Sequence, residues 1–317
     1  MPYSVEICAG AGGQALGLET AGFEHTALVE IEKAACDTLL YNRPEWDVIN
    51  GDIRCFSGAK YKGVDLLAGG VPCPPFSVAG KQLGQGDERD LFPEAIRLAD
   101  EIRPKAIMLE NVRGMLDAVF EDYRKHIKNQ LASLGYHTEW RLHNASDYGV
   151  SQLRPRVVFV ALKKDIAQYF SWPTQLQVSP PTVGELLFDL MNENGWLGAS
   201  QWRKRADDIA PTLVGGSKKH GGPDLGPTRA KKAWAALGVD GHGIADTPPA
   251  KEFLGMPRLT VRMTARIQGF PDSWRFAGKK TSAYRQIGNA FPPPVAQAVG
   301  ASILAALESS AKRTFYL

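Results

Sequence analysis

The sequence predicts an α/β protein built on a doubly wound parallel sheet, and three observations lead to this prediction. Short apolar runs alternate with helical patterns through the first half of the 317-residue chain, which is typical of such sheets. A glycine-rich turn, "AGAGG", directly follows the first apolar run. Later apolar runs are followed by "NGDIR", "GGVPCPPFS" and "ENVRG", at the strand ends where ligands bind in these sheets.

The predicted elements follow one another in a regular order. We predict strands at "YSVEIC", "TALVEI", "VDLLAGG" and "KAIMLEN", and then a last pair at "HTEWRLH" and "RVVFVALK". The intervening helices are predicted at "GQALGLETAG", "KAACDTLLYN", "PEAIRLADEI" and "EDYRKHIKNQLASLG". The closing stretch "PPPVAQAVGASILAALESS" predicts a long helix that packs back onto the first part of the chain.

The composition of the chain changes after about residue 170, where Gly, Pro and Lys become frequent and long periodic hydrophobic segments end. We therefore predict a catalytic, ligand-binding domain at 1–171 and 276–317. The intervening residues, 172–275, should form a second, smaller domain of short strands and ordered loops. Apolar segments there, such as "APTLV" and "KAWAALGV", exclude a plain linker.

Composition excludes several classes of protein. Hydrophobic residues make up 44% and charged residues 22% of the chain, as in ordinary globular proteins. No window reaches the 18 apolar residues of a membrane span, and we see no leader sequence at the start. The four cysteines lack C-x-x-C spacing, so we expect no metal site and reduced thiols.

The net charge of +3 is only mildly basic, but basic residues concentrate between Arg203 and Lys232. A solvated loop surface explains this concentration as well as nucleic-acid binding does.

The glycine turn indicates a ligand site at the end of the first strand. Gly10, Gly12 and Gly13 depart from G-x-G-x-x-G spacing, so a dinucleotide is not expected. Glu30, after the second strand, could accept hydrogen bonds from ribose hydroxyls, and Asp52, in "NGDIR", could accept one from the adenine amine. S-adenosylmethionine fits this pattern, although a tight turn without a ligand remains an alternative.

Two residues at strand ends suggest covalent chemistry. Cys73 lies between Pro72 and Pro74, which fix the backbone around the thiol. It is either a preset nucleophile or a buried small apolar side chain. Glu110 ends another predicted strand and should reach the same edge of the sheet, unless it caps a helix.

The segment "QLRPR" adds Arg154 and Arg156, which alternate with Leu153 and Pro155. Alternation places the two arginines on one side of an extended segment. They could hold an anion in place, or they could form salt bridges within the sheet.

Taken in order, these motifs resemble those of the DNA cytosine-5 methyltransferases, of the prokaryotic restriction-modification type, over nearly the whole chain. The glycine loop "AGAGG", then "VEIE" and "GDI", are similar to the first motifs of that family. "GGVPCPPFS" resembles its catalytic loop, "ENV" its carboxylate motif and "QLRPR" its arginine motif. "DERDLF", "LTVRMTARIQGFPDSW" and "QIGNAFPPPVAQAVG" also match in order and spacing.

The resemblance implies a Rossmann-like, S-adenosylmethionine-dependent methyltransferase fold with a smaller target-recognition domain. It also implies transfer of a methyl group from S-adenosylmethionine to C5 of a flipped-out cytosine, through a covalent bond between Cys73 and C6, leaving S-adenosylhomocysteine. The expected partners are double-stranded DNA and a restriction endonuclease acting on the same site, and we expect a cytoplasmic, nucleoid-associated monomer without membrane contact. Methylation of RNA, and a catalytically silent DNA-binding homologue, are the alternatives.

Residue roles carry over by position in the matching motifs. The implied catalytic residues are Cys73, Glu110, Arg154 and Arg156. The implied cofactor-binding residues are Cys8, Gly10, Gly12, Gly13, Glu30, Ile31, Asp52, Ile53, Leu91 and Asn289. The residues expected near DNA are Pro74, Ser77, Lys81, Arg203, Arg205, Lys218, Lys219 and His220.

Four residues depart from the family pattern. Pro74 stands where glutamine usually helps to fill the gap left by the flipped base, so another side chain, from the small domain, is expected to fill it. Cys8 stands where an aromatic ring often stacks on adenine. Glu6 replaces the commoner aspartate, and Met263 a frequent glutamate. None of these changes removes a group that the reaction needs.

Overall fold

The computed structural model describes residues 1–72, 90–215 and 222–315. Its centre is a seven-stranded sheet in the order β3-β2-β1-β4-β5-β7-β6. The strands are β1 (Tyr3–Ile7), β2 (Glu24–Glu30), β3 (Val48–Asn50), β4 (Leu66–Gly69), β5 (Ala106–Val112), β6 (Tyr136–Asn144) and β7 (Pro155–Lys163).

The sheet is not wholly parallel, which corrects the sequence-based prediction. Strand β7 pairs antiparallel with both β5 and β6, whereas the other pairs are parallel. Only residues 145–154 connect β6 to β7, and a parallel crossover needs a dozen or more residues. The short connection therefore turns β7 back along its neighbours.

Helices cover the sheet and build the second half of the chain. They are α1 (Gly13–Ala21), α2 (Lys33–Asn42), α3 (Phe92–Ile102), α4 (Glu121–Ser133), α5 (Lys164–Ala167), α6 (Val183–Met191), α7 (Ala199–Arg205), α8 (Thr228–Ala236), α9 (Val261–Ile267), α10 (Lys280–Asn289) and α11 (Pro293–Phe315). Short 3₁₀ turns lie at Ile53–Cys55, Ala59–Tyr61, Arg113–Leu116, Ala118–Phe120 and Ala145–Tyr148.

The predicted short strands of 172–275 do not occur among its described residues, which form helices α6 to α9 and connecting loops. A capping box explains the start of α6, because the Thr182 side chain accepts from the Glu185 backbone while the Glu185 carboxylate accepts from Thr182. One apolar cluster includes Trp202 and Trp234 of this region together with Leu16 and Trp46 of the first part. The proposed boundaries at 171/172 and 275/276 stay a prediction.

Helix α11 packs against α1 beside the sheet. A Cβ at Gly17 would lie 2.4 Å from the carbonyl oxygen of Pro293, so glycine allows the two helices to approach this closely. By length and composition alone, the stretch Lys280–Arg313, which comprises α10 and most of α11, is apolar enough to cross a membrane. Its most apolar window is 56% buried inside the protein, which is also typical of a core helix.

Candidate functional site

A cavity of about 480 Å³ lies at the carboxyl ends of strands β1, β2, β4 and β5. Loops after these strands form most of its wall, as expected for an open α/β sheet. Helix α10 closes another side. The wall includes nine of the ten predicted cofactor residues, namely Cys8, Gly10, Gly13, Glu30, Ile31, Asp52, Ile53, Leu91 and Asn289.

The carboxylate of Glu30 is held in a fixed orientation at the end of β2. Its Oε2 accepts from the backbone N–H of Gly10 and its Oε1 from that of Glu32, both at 2.7 Å. Burial raises the pKa of Glu30, and these N–H donors partly offset the rise. The fixed carboxylate can still accept hydrogen bonds from a ligand hydroxyl, because each oxygen has a further lone pair.

The three glycines of the first loop have different roles. Gly10 has a φ of +53° and open space where a Cβ would lie, so a ligand can approach its backbone closely. Gly13 faces Phe291, whose carbonyl oxygen would lie 2.2 Å from an added Cβ. Gly12 is not part of the cavity wall: it turns toward Trp274, at 2.8 Å from an added Cβ.

Asp52 lines the cavity, but its carboxylate is already paired. Its Oδ1 accepts from the backbone N–H of Arg54 and its Oδ2 from the Arg54 guanidinium, both at 2.9 Å. These contacts, the backbone one foremost, lower the pKa of Asp52. Nearby, Ile31 is 60% exposed at the cavity and Ile53 is buried, so both offer apolar contact to a flat ring.

Cys8 follows β1 with a φ of +51°, a left-handed conformation that is uncommon outside glycine. Burial, and secondarily the charge of Glu30, raises the pKa of its thiol to about 12. The thiol is therefore protonated at neutral pH and presents a small, uncharged surface to the cavity.

Glu110 lies at the carboxyl end of β5, 9% exposed, and it caps no helix. Its Oε1 pairs with Nε of Arg156 at 2.8 Å. Burial raises the pKa of Glu110, and the charge of Arg156 counteracts the rise. Gly70 lies beside it, with an added Cβ 3.4 Å from Oε2, so glycine keeps space open next to the carboxylate.

Arg154 does not share the position of Arg156, contrary to the expectation from alternation. It is fully buried and donates to the carbonyls of Leu213, Gly288 and Ala290 at 2.8–2.9 Å. Regular pairing of β7 begins only at Pro155, so the alternation of a strand does not extend to Arg154. It joins the segment before residue 216 to the end of α10, outside the cavity wall.

Several predicted residues lie outside the described residues: Cys73, Pro74, Ser77, Lys81, Lys218, Lys219 and His220. A hydrogen bond joins the two sides of the first of these segments: the N–H of Leu91 donates to the carbonyl of Pro72 at 3.2 Å. Both Pro72 and Leu91 line the cavity. Cys73 therefore directly follows a residue of the cavity wall, Pro72, in the sequence.

The two described arginines expected near DNA, Arg203 and Arg205, are exposed on α7 and have protein contacts. Arg205 donates to the carbonyls of Ala235 and Ala236 at the end of α8. The guanidinium of Arg203 lies 5.2 Å from the ring centre of Phe188. Their contact with DNA stays a prediction.

Sequence reasoning missed most of the α10 wall. Ser282, Arg285, Gln286 and Asn289 all line the cavity, at the spacing of one helical face. Only Asn289 was expected there, and the i, i+3, i+4, i+7 pattern within "SAYRQIGN" is the signal that could have revealed the others.

Glu6 was noted only as a departure, yet it also lines the cavity. It is 1% exposed, and neither carboxylate oxygen has a hydrogen-bond partner among the described residues. Burial raises the pKa of Glu6 well above its ordinary value, and the nearby backbone of Ala15 offsets only part of the rise. The described part of the chain contains no group of three or more His, Cys, Asp or Glu suited to a metal ion.

Comparisons with known proteins agree with this geometry. The family model for C-5 cytosine-specific DNA methylases matches residues 3–305. The chain is 64% identical to the Type II methyltransferase M.NgoMIV of Neisseria gonorrhoeae, covering 96% of this chain and 98% of the relative. It is 59% identical to the Type II methyltransferase M.NaeI of Lentzea aerocolonigenes, covering 96% and 75% of the two chains.

The fold is also similar to a solved structure. A candidate DNA modification methyltransferase encoded within an E. coli prophage superposes with a TM-score of 0.68 at 23% identity, covering 98% of this chain and 100% of that one.

Proposed function

The chain belongs to the C-5 cytosine-specific DNA methylases, and from this premise we propose that it is a Type II modification methyltransferase that uses S-adenosylmethionine on duplex DNA. The observation that supports this proposal best is one cavity with Glu30 at one strand end and Glu110, which Arg156 holds, at another. A nucleoside-bearing methyl donor and a target base can thus meet at one edge of the sheet.

The residues of the cavity fit S-adenosylmethionine. The space over Gly10 admits a ligand close to the backbone, and the fixed Glu30 carboxylate suits ribose hydroxyls. Gly10, Gly13, Ile31, Ile53, Leu91 and Asn289 would complete the site. When bound, S-adenosylmethionine supplies an electrophilic methyl group on a positively charged sulfur.

Cys73 is proposed as the nucleophile from its motif and from its bond to Pro72. Cytosine C5 is a poor nucleophile by itself. Addition of the Cys73 thiolate forms an S–C6 bond and moves the electron pair of the C5–C6 double bond toward C5 and N3. C5 can then accept a methyl group. A solvent base afterwards takes the C5 proton, and the C5–H electron pair re-forms the C5–C6 double bond as the Cys73 thiolate leaves.

Glu110 is proposed to stabilise the added state. Negative charge develops at N3 when the thiolate adds. The Glu110 carboxylate, whose pKa burial raises, can take up a proton when the base displaces the remaining water and share that proton with N3. Arg156 holds the Glu110 carboxyl through the 2.8 Å contact and so fixes its orientation toward the base. We therefore propose Glu110 as a catalytic acid and Arg156 as the residue that positions it.

The target base must leave the duplex to reach this cavity, at a cost of a few kcal/mol. In this proposal Ser77, Lys81, Arg203, Arg205, Lys218, Lys219 and His220 contact DNA as expected from their motifs. Because Pro74 stands where glutamine usually helps to fill the gap left by the flipped base, another side chain fills that gap in this proposal. We further propose that the enzyme acts as a monomer and shares its recognition site with a restriction endonuclease.

Methylation of defined substrates tests this function. The purified protein and S-adenosylmethionine are incubated with duplex DNA and with RNA of the same sequence, and bisulfite sequencing locates 5-methylcytosine. We expect methylation at one short DNA sequence and none on RNA. Methylation of RNA alone would contradict the DNA assignment, and tight DNA binding without methylation would favour a silent homologue.

Matched cysteine variants test the proposed nucleophile. Cys73→Ala should abolish methylation while leaving S-adenosylhomocysteine binding intact. Cys55→Ala removes an exposed thiol and should retain full activity. Residual methylation by Cys73→Ala would contradict the proposed role of Cys73.

A further inference from the structure

Carboxyl groups outnumber cationic groups on the cavity wall. Its wall carries five carboxyl side chains, those of Glu6, Glu30, Glu32, Asp52 and Glu110. Two of them are paired with arginines, Asp52 with Arg54 and Glu110 with Arg156, and burial raises the pKa of Glu6 well above its ordinary value. The wall still offers more partners to a cationic group of S-adenosylmethionine than to an anionic one. The α-carboxylate of the same molecule carries the opposite charge, and it would be repelled unless a cation or several donors received it.

Only two of the described wall residues are cationic, Arg54 and Arg285. The guanidinium of Arg54 is paired with Asp52 at 2.9 Å. The side chain of Arg285 has no ion pair and no hydrogen bond, as far as the structure describes the chain. It is half-buried, so its donors are available to a ligand but partly shielded from water.

The backbone that carries Arg285 is closely fixed. A Cβ at Gly215 would lie 2.6 Å from the carbonyl oxygen of Arg285 and 2.4 Å from Oδ1 of Asn289. Helix α10 therefore packs directly on the segment that ends at Gly215. Arg285 lies one helical turn before Asn289, on the face that lines the cavity.

We propose that Arg285 binds the α-carboxylate of the methyl donor, an inference that rests on S-adenosylmethionine being the donor in this cavity. A guanidinium presents several donors in a fixed plane and matches a carboxylate with two parallel hydrogen bonds. Pairing with Arg285 would give the α-carboxylate a cationic partner in a wall that is otherwise lined mainly by carboxyl groups.

Binding of two product analogues to the intact protein isolates this contact. S-adenosylhomocysteine carries the carboxylate, and its decarboxylated analogue does not. By calorimetry the unaltered protein should bind S-adenosylhomocysteine about 10- to 100-fold more tightly, the effect of a charge-assisted hydrogen bond. Arg285→Gln should weaken the binding of S-adenosylhomocysteine by that factor and leave the binding of the decarboxylated analogue unchanged.

Arg285→Lys should restore part of the preference, and Arg229→Gln, at an exposed arginine of α8, should leave it intact. Equal weakening of both analogues by Arg285→Gln would overturn the proposal. So would unchanged binding of both together with weaker, less salt-dependent DNA binding, which would assign Arg285 to a phosphate.

The binding experiment is separate from the test of function. A carboxylate preference that depends on Arg285, in a protein that methylates no DNA, would contradict only the proposed function. DNA methylation by a protein without this preference would contradict only the role of Arg285.

Discussion

Breaking the Glu110–Arg156 pair should destabilise the protein strongly, because each partner is largely buried beside the other. The side chains are 11% and 14% exposed, and Nε and Oε1 are 2.8 Å apart. With charge centres about 4 Å apart and an effective dielectric of about 20, the attraction is about 4 kcal/mol. Glu110→Gln or Arg156→Gln alone should therefore cost about 3–5 kcal/mol, since the remaining charge stays buried.

A double-mutant cycle measured by urea denaturation tests this reasoning. The double variant should cost clearly less than the sum of the single variants, by at least about 1 kcal/mol, because no unpaired charge remains. The exposed pair Glu121–Lys125 is the matched control and should couple far more weakly, because solvent screens its charges. Additive single effects at Glu110 and Arg156 would refute the account of a coupled, buried pair.

Three further predictions concern stability. Gly17→Ala should destabilise by about 1–3 kcal/mol, since the added methyl meets the Pro293 carbonyl; Gly51→Ala, with open space at its Cβ, should cost far less in the same urea titration. Glu6→Gln should gain stability over the unaltered protein as pH rises above 4.5, because the native carboxyl with its raised pKa holds a proton that the unfolded one releases. A constant difference between pH 4.5 and 9 would contradict this. Burial lowers the pKa of His143 from 6.5 to about 4. As the pH falls from 6.5 to 4, the unfolded chain therefore takes up a proton before the native one does, and the free energy of unfolding should fall by up to about 3 kcal/mol. His143→Gln should show a weaker acid dependence in thermal melts from pH 7 to 4.

The sequence predicted most of the sheet and its helices because their patterns are long and periodic. It did not predict the direction of β7, which depends on the length of the connection from β6 and on its neighbours in space. It also missed helices α6 to α9, where frequent Gly and Pro concealed short helices. The capping box at Thr182 and Glu185 was a readable local signal for one of them.

Within the site, the sequence identified residues at strand ends more reliably than it identified their partners. Glu30 and Glu110 lie at one cavity because the parallel strands β2 and β5 end at the same edge. The burial of Arg154 depends on carbonyls more than 50 residues away in the chain. No local pattern reveals such contacts. The pairing of Asp52 by Arg54, two residues along the chain, is local by contrast, and an Asp that caps a short turn is its readable signal.

The central claim, that this chain attacks C6 of a flipped cytosine with Cys73, is tested most directly by trapping. Duplex DNA carrying 5-fluorocytosine at the methylated position is incubated with the protein and S-adenosylmethionine, because fluorine at C5 cannot leave as a proton. We expect a denaturation-resistant protein–DNA adduct that maps to Cys73, persists in Cys55→Ala and is lost in Cys73→Ala. An adduct that survives Cys73→Ala, or no adduct on a duplex that the protein methylates, would contradict the account.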